Sequence, residues 1–164
     1  MSIPTIDELP DALKTIRTRP LFVLQLAIRK PLLVGTTPAA YRRIGVIPGG
    51  SFKGDRLAGE VLEGGSDWQT IRADGAITLN VRLVLRTDDD ALITKQYPGM
   101  RHGSAEVLAK VDRGEPVDPA AYYLRIAPVF ETAAARYQWL NRVVAVGTGH
   151  RLADGVLYSV FELL

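Results

Sequence analysis

The chain has 164 residues, 47% hydrophobic and 23% charged, enough for one globular domain with a sizeable core. Twenty basic side chains nearly balance eighteen acidic ones, for a net charge of +2. No basic run exceeds the Arg42-Arg43 pair, which argues against a nucleic-acid surface. The absence of cysteine excludes disulfides, thiolate nucleophiles and Cys-ligated zinc.

Residues 5–17 carry the first helical signal. Thr5 with Glu8 fits a capping box, and Ile6, Leu9, Leu13 and Ile16 recur at helical spacing, with Pro10 as an interruption. This predicts an N-terminal helical arm over 1–20, packed on the domain or across a dimer contact. It has no apolar signal core, and no apolar run in the chain reaches the roughly 20 residues of a membrane-spanning helix. A cytoplasmic protein with no membrane partner is expected.

From Leu21 the pattern becomes strand-like. "LFVLQLAIRK", "YRRIGVIPGGSFKG" and "RLAGEVLEGG" read as strands with glycine punctuation. Three more follow over 67–103, turned at Asp74-Gly75 and at Asp88–Asp90. Within them Ile77, Leu79, Val81, Leu83 and Leu85 alternate with Thr78, Asn80, Arg82, Val84 and Arg86, the clearest period of two in the chain. Residues 104–115 predict one short internal helix, capped by Ser104 and stopped by Gly114. "AYYLRIAPVF", "RYQWLNRVVAVGTG" and "GVLYSVFELL" predict the last strands. The fold class is therefore all-β: a single antiparallel β-barrel of about eight strands over 21–164, closed because open edges invite aggregation. Such a barrel can enclose one small ligand.

Several side chains could serve such a ligand. Asp67, beside Trp68 in "GGSDWQ", is either a turn residue or an acid, base or anchor at the barrel mouth. Arg82 and Asn80 either face solvent or form a clamp for a carboxylate or enolate. Tyr137, Trp139 and Asn141 share a face if their segment is a strand. Tyr123, Arg125 and Glu131 do likewise, with Pro128 disturbing the register. Glu60 is either an exposed edge residue or a carboxylate on an apolar face with a raised pKa. His102 and His150 stand alone, without the clustered ligands of a metal site. "GGSFKG" lacks a P-loop ending, and no dinucleotide fingerprint or nucleophile elbow occurs. No metal or cofactor is expected.

Taken together, "VGTTPAAYRRIGVIPGGSFKGDRLAGEVLEGGSDWQTIRADGAITLNVRLVLRTDDDALI", "YYLRIAPVFET" and "YQWLNRVVAVGTG" resemble domain of unknown function 3237, also called uncharacterised protein family 0311. The resemblance runs from about Leu21 to the C-terminus. It implies a small antiparallel β-barrel and, through relatives in metabolic gene clusters, small-molecule chemistry, but names no activity. Ala40 and Asp90 stand where glycines are usual, both in loops.

The chemistry left open is proton transfer, cyclisation, isomerisation, elimination or hydration of a mostly apolar carbonyl compound. Asp67 or Glu131 would move the proton, and Arg82, helped by Asn141, would stabilise an oxyanion. Trp68, Tyr137 and Trp139 would wall the pocket. The rival is a non-catalytic, lipocalin-like carrier or sensor. Charged groups converging in the cavity favour the enzyme, and a dry apolar cavity favours the carrier. A homodimer is expected from the commonness of that state.

Overall fold

The computed structural model describes residues 3–164. Its strands are β1 (Thr18–Ala27), β2 (Leu32–Thr36), β3 (Tyr41–Ile47), β4 (Gly49–Lys53), β5 (Ala58–Val61) and β6 (Gly65–Ile71). They continue with β7 (Ile77–Thr87), β8 (Leu92–Gly103), β9 (Tyr122–Ile126), β10 (Val129–Glu131), β11 (Ala145–Arg151) and β12 (Gly155–Leu163). All pairings are antiparallel. They run β1-β4-β5-β7-β8-β9-β11-β12 and return to β1, a ring of eight strands.

Closure is uneven. The β7–β8 hairpin holds ten residue pairs in register, whereas the β5–β7 and β9–β11 seams hold three and two. The long strands β7 and β8 each divide one edge between two neighbours. The first half of β7 pairs with β6 and the second half with β5. The β3–β6 pair extends the β4–β5 pair past Pro48, and β2 covers the outer edge of β3. No helix among the described residues is long and apolar enough to cross a membrane.

The period of two decides the interior. Ile77, Leu79, Val81, Leu83 and Leu85 are buried, and they meet Leu24 and Leu26 of β1, Leu124 and Ile126 of β9, and Val156 and Val160 of β12. Phe22 packs at 5.5 Å from Phe52 and 5.9 Å from Phe130, in tilted and edge-on geometry. The turns form as their residues dictate. Gly75 takes φ +81°, and Asp90, lacking the usual glycine, itself adopts φ +63°.

Close backbone approach explains Gly50. It lies opposite Leu26 in the β1–β4 ladder, and a Cβ there would sit 2.1 Å from the Gln25 carbonyl oxygen. No side-chain rotation relieves a clash with backbone. Gly50→Ala is expected to cost about 3 kcal/mol, read as a fall in the urea midpoint.

Three expectations need correction. The N-terminal arm is not one helix: Ile6–Glu8 form a 3-10 turn and Asp11–Lys14 one helical turn, with Pro10 between them. The Thr5–Glu8 capping box is present, with the Thr5 amide donating to Glu8 at 2.7 Å. Ile6, Leu13 and Ile16 stay exposed, and β1 begins at Thr18, inside the range assigned to the arm. Secondly, Ala135–Arg142 is a 3-10 helix and not a strand, so only Ala145–Arg151 of that segment joins the sheet. Thirdly, Pro128 splits "AYYLRIAPVF" into β9 and β10, which flank β8 on the same side. The internal helix forms as the sequence predicts, over Ala105–Asp112, with Ser104 Oγ accepting the Val107 amide and Gly114 at φ +74°.

Candidate functional site

One end of the barrel holds a partly open cavity of about 290 Å3, near the lower end of the roughly 300–1,000 Å3 of small-molecule sites. Its apolar wall comes from Leu79, Leu124, Val156 and Tyr158. Its polar wall comes from Arg43, Asp67, Gln69, Arg101, Asp112 and Arg151. Larger depressions of about 880 and 890 Å3 lie on the outside of the sheet, and neither gathers buried charge. Buried ionisable groups facing one concave space are the stronger mark of a chemical site.

Alternation along β6 turns Asp67 inward and Trp68 outward; they are 8% and 53% exposed. Gly45 lies directly opposite Asp67 on β3, leaving room beside the carboxylate. The β6–β7 ladder lapses between the Asp67–Val81 and Thr70–Thr78 pairs. There the Asp67 carboxylate accepts the Asn80 backbone N–H at 3.3 Å, in place of a ladder carbonyl. Its other oxygen accepts from Gln69 Nε2 at 2.7 Å, and Gln69 Oε1 accepts from Arg43 Nε at 2.6 Å. Burial raises the Asp67 pKa above the usual carboxylate range. The Gln69 and Asn80 hydrogen bonds and the charges of Arg101 and Arg43 oppose that rise without cancelling it.

Arginines dominate the rest of the wall. Arg101 extends inward from β8, and its Nη2 donates to Asp112 Oδ1 at 2.9 Å. The same oxygen takes a longer bond of 3.4 Å from Arg43. Asp112 closes the internal helix, so that helix serves to carry one carboxylate to two guanidinium groups. Arg151, at the end of β11, forms no ion pair among the described residues. Burial lowers the pKa of both Arg101 and Arg151, and the Nε of each is buried without an acceptor.

Tyr158 of the cavity wall packs edge to face on Tyr97 at 5.9 Å. Burial pushes both phenols up, so they stay protonated and can donate. Lys95 is fully buried, with Nζ 3.6 Å from the Tyr97 ring centroid and no hydrogen-bond acceptor among the described residues.

The residues proposed from sequence scatter over the molecule, and only Asp67 reaches the cavity. Asn80 and Arg82 lie on the outer face of β7, so the oxyanion clamp assigned to them does not form in the lumen. Glu60 is exposed and paired with Arg86, which corrects the apolar-face reading. Trp68 donates from its indole to Ser66 Oγ at 3.1 Å on the surface and walls no pocket.

Because 135–142 is helical, Tyr137, Trp139 and Asn141 do not share a face. Tyr137 is buried and donates to Asp89 at 2.7 Å, and the Arg56 guanidinium lies 3.8 Å above the Trp139 ring. Asn141 makes two bonds with the Thr132 backbone, accepting its N–H at 2.8 Å and donating to its carbonyl at 2.9 Å. Glu131 is exposed on β10. Tyr123 and Arg125 face outward from β9, where Tyr123 stacks on His102 at 4.7 Å. His150 meets the Tyr122 hydroxyl at 3.3 Å. Among the described residues no group of three or more His, Asp or Glu is placed to hold a metal.

Sequence reasoning passed over Arg43, Arg101, Asp112, Arg151 and Tyr158. A usable signal existed for Arg101. Cross-strand partners share a face, and the Asp88–Asp90 turn pairs Leu83 with Lys95, Val81 with Tyr97 and Ile77 with Arg101. Once the apolar face of β7 is taken as inside, Lys95, Tyr97 and Arg101 follow it in.

An unevenly closed antiparallel barrel with ionisable groups around a cavity at one end defines a β-barrel-like protein. Residues 16–163 match the family described as protein of unknown function (DUF3237). A UPF0311 protein of Rhodopseudomonas palustris is 39% identical over 92% of this chain and 98% of its own. The chain belongs to this uncharacterised family. The crystal structure of the R. palustris protein superposes with a TM-score of 0.88, covering 92% of this chain and 99% of that one. A β-barrel-like protein of Acinetobacter baumannii follows at 0.80, with 41% identity over 92% of this chain and 97% of that one. An enzyme from Penicillium herquei shares the fold at 0.70, with 20% identity over 100% of this chain and 99% of that one.

Proposed function

We propose that this protein is a cofactor-independent enzyme that moves a proton on a small carbonyl compound. A lyase, isomerase, hydratase or cyclase would need that step. Asp67 carries the reading: it is a buried carboxylate with a raised pKa, on the wall of a partly open cavity, within reach of the charges of Arg101 and Arg43. A raised pKa makes the carboxylate a stronger base near neutral pH. The oxyanion that forms when a proton leaves a carbon next to a carbonyl would be stabilised by Arg101 and the Tyr158 hydroxyl, in place of Arg82. Charge converging in the cavity supports an enzyme over a carrier. The fold is compatible with catalysis, since a barrel of this shape is an enzyme in P. herquei.

The test is deuterium exchange followed by proton NMR. Small enolisable ketones such as 1-indanone are incubated with the protein in heavy water. Loss of the signal from protons next to the carbonyl, well above the buffer rate, is expected. Exchange no faster than buffer for every ketone that shifts the melting curve would remove the proposal.

A further inference from the structure

Proton transfer at Asp67 uses one carboxylate and leaves most of the cavity's positive charge without a task. Five basic residues line this space, Arg29, Lys30, Arg43, Arg101 and Arg151, against two acidic ones, Asp67 and Asp112. Arg29 is held outward by Glu63 at 3.2 Å, and Arg43 and Arg101 share Asp112. Arg151 has no carboxylate partner among the described residues, and the buried Nε groups of Arg101 and Arg151 have no acceptor. Arg101 is 4% exposed. Arg151 is half-buried, and guanidinium nitrogens buried without an acceptor are costly unless an anion completes them.

We infer that the cavity binds an organic monocarboxylate, its carboxylate held by Arg101 and Arg151 and its apolar body against Leu79, Leu124 and Val156. Placing that anion as the substrate rests on the acid–base reading of Asp67. A planar carboxylate matches the guanidinium fork. A monocarboxylate carries half the charge of a phosphate dianion and so meets less repulsion from Asp67 and Asp112 in the same small space. The volume of about 290 Å3 suits an acid built on one or two rings. Arg29 and Lys30 add positive charge to the lining, which favours the approach of anions.

Calorimetric titration of the intact protein tests this, with benzoate, its neutral isostere benzamide, and inorganic phosphate as probes. Benzoate is expected to bind at one site per chain, with benzamide and phosphate each at least about tenfold weaker. Arg151→Gln is expected to weaken benzoate at least about tenfold and leave benzamide unchanged. Among the described residues its side chain makes no hydrogen bond; the Arg151 bond to Tyr122 comes from the backbone N–H. No benzoate binding at millimolar concentration, equal binding of benzamide, or preference for phosphate would each overturn the inference. So would an Arg151→Gln variant that binds benzoate as tightly as the parent. Asp67→Asn separates the two proposals. It should retain benzoate binding, so a variant that binds benzoate and still exchanges protons defeats the acid–base reading alone.

Discussion

Lys95→Met is expected to stabilise the protein by about 2 kcal/mol, raising its thermal midpoint by roughly 4–8 °C. Lys95 points into the barrel from β8, is fully buried, and has no acceptor for its amine among the described residues. Its amine lies 3.6 Å from the centre of the Tyr97 ring. Burial drives its pKa well below the ordinary lysine value, so the folded state favours the neutral amine. The unfolded chain binds that proton up to about pH 10.4. Between the folded pKa and that value the unfolded state holds more protons, so stability rises with pH and is lost as pH falls. The slope approaches about 1.4 kcal/mol per pH unit within that window.

Methionine has nearly the same length, fills the space without a polar atom, and removes this dependence. Urea denaturation of both proteins from pH 6 to 10 therefore gives curves that converge toward the alkaline end, with the variant more stable at the acid end. A variant no more stable than the parent at pH 7 would mean that Nζ is satisfied in the folded protein. The same would follow from a parent curve that does not rise toward alkaline pH.

The barrel was legible because its signal is local and repeated. Five apolar residues alternating over 77–85, a hairpin turn at each end, and "GVLYSVFELL" at the C-terminus each fix a strand by period and punctuation alone. The capping box at Thr5 and the Ser104 cap were legible for the same reason. Ala135–Arg142 was not, because Tyr, Gln, Trp and Asn satisfy a strand pattern and a tight helix equally. What decided it is tertiary: Asp89 accepts the Tyr137 hydroxyl, and the Thr132 backbone takes both ends of Asn141.

The site was harder still. Asp67, Arg43, Arg101, Asp112 and Arg151 come from β6, β3, β8, the internal helix and β11, elements far apart in the chain. No spacing in a sequence encodes their meeting. Polar residues in the polar half of an alternation, such as Asn80 and Arg82, lie where solvent puts them and mark no site. The informative residues were charges on the apolar face: Lys95 and Arg101 among Ile93 and Tyr97.

For the proposed proton transfer, Asp67→Asn is expected to lower kcat/KM by about 10²- to 10⁴-fold, the usual worth of a positioned general base. The amide is isosteric and can still accept the Asn80 N–H through its oxygen. It cannot accept a proton from carbon. Its nitrogen would also face Gln69 Nε2, whose amide oxygen is already engaged by Arg43. One hydrogen bond is therefore lost, while the barrel stays closed by pairings that do not involve this side chain.

The pH profile separates a base from a structural carboxylate. As the base, Asp67 acts ionised, so kcat/KM of the parent should fall as pH drops through its folded pKa. That midpoint lies above the usual aspartate value of about 3.9 because burial raises it. The acid limb should vanish in Asp67→Asn, leaving a low, flat rate. Stability moves the opposite way: a raised folded pKa means the folded state holds the proton longer. Its contribution is full below about pH 4 and is lost as pH rises through the folded pKa. Activity and stability controlled by this one group thus cross in the same interval. Arg101→Lys is the control, since it keeps a positive charge near Asp67 but loses the planar fork, and should lower kcat/KM without removing the acid limb. An acid limb that persists in Asp67→Asn would assign the titration to another group and remove Asp67 as the base.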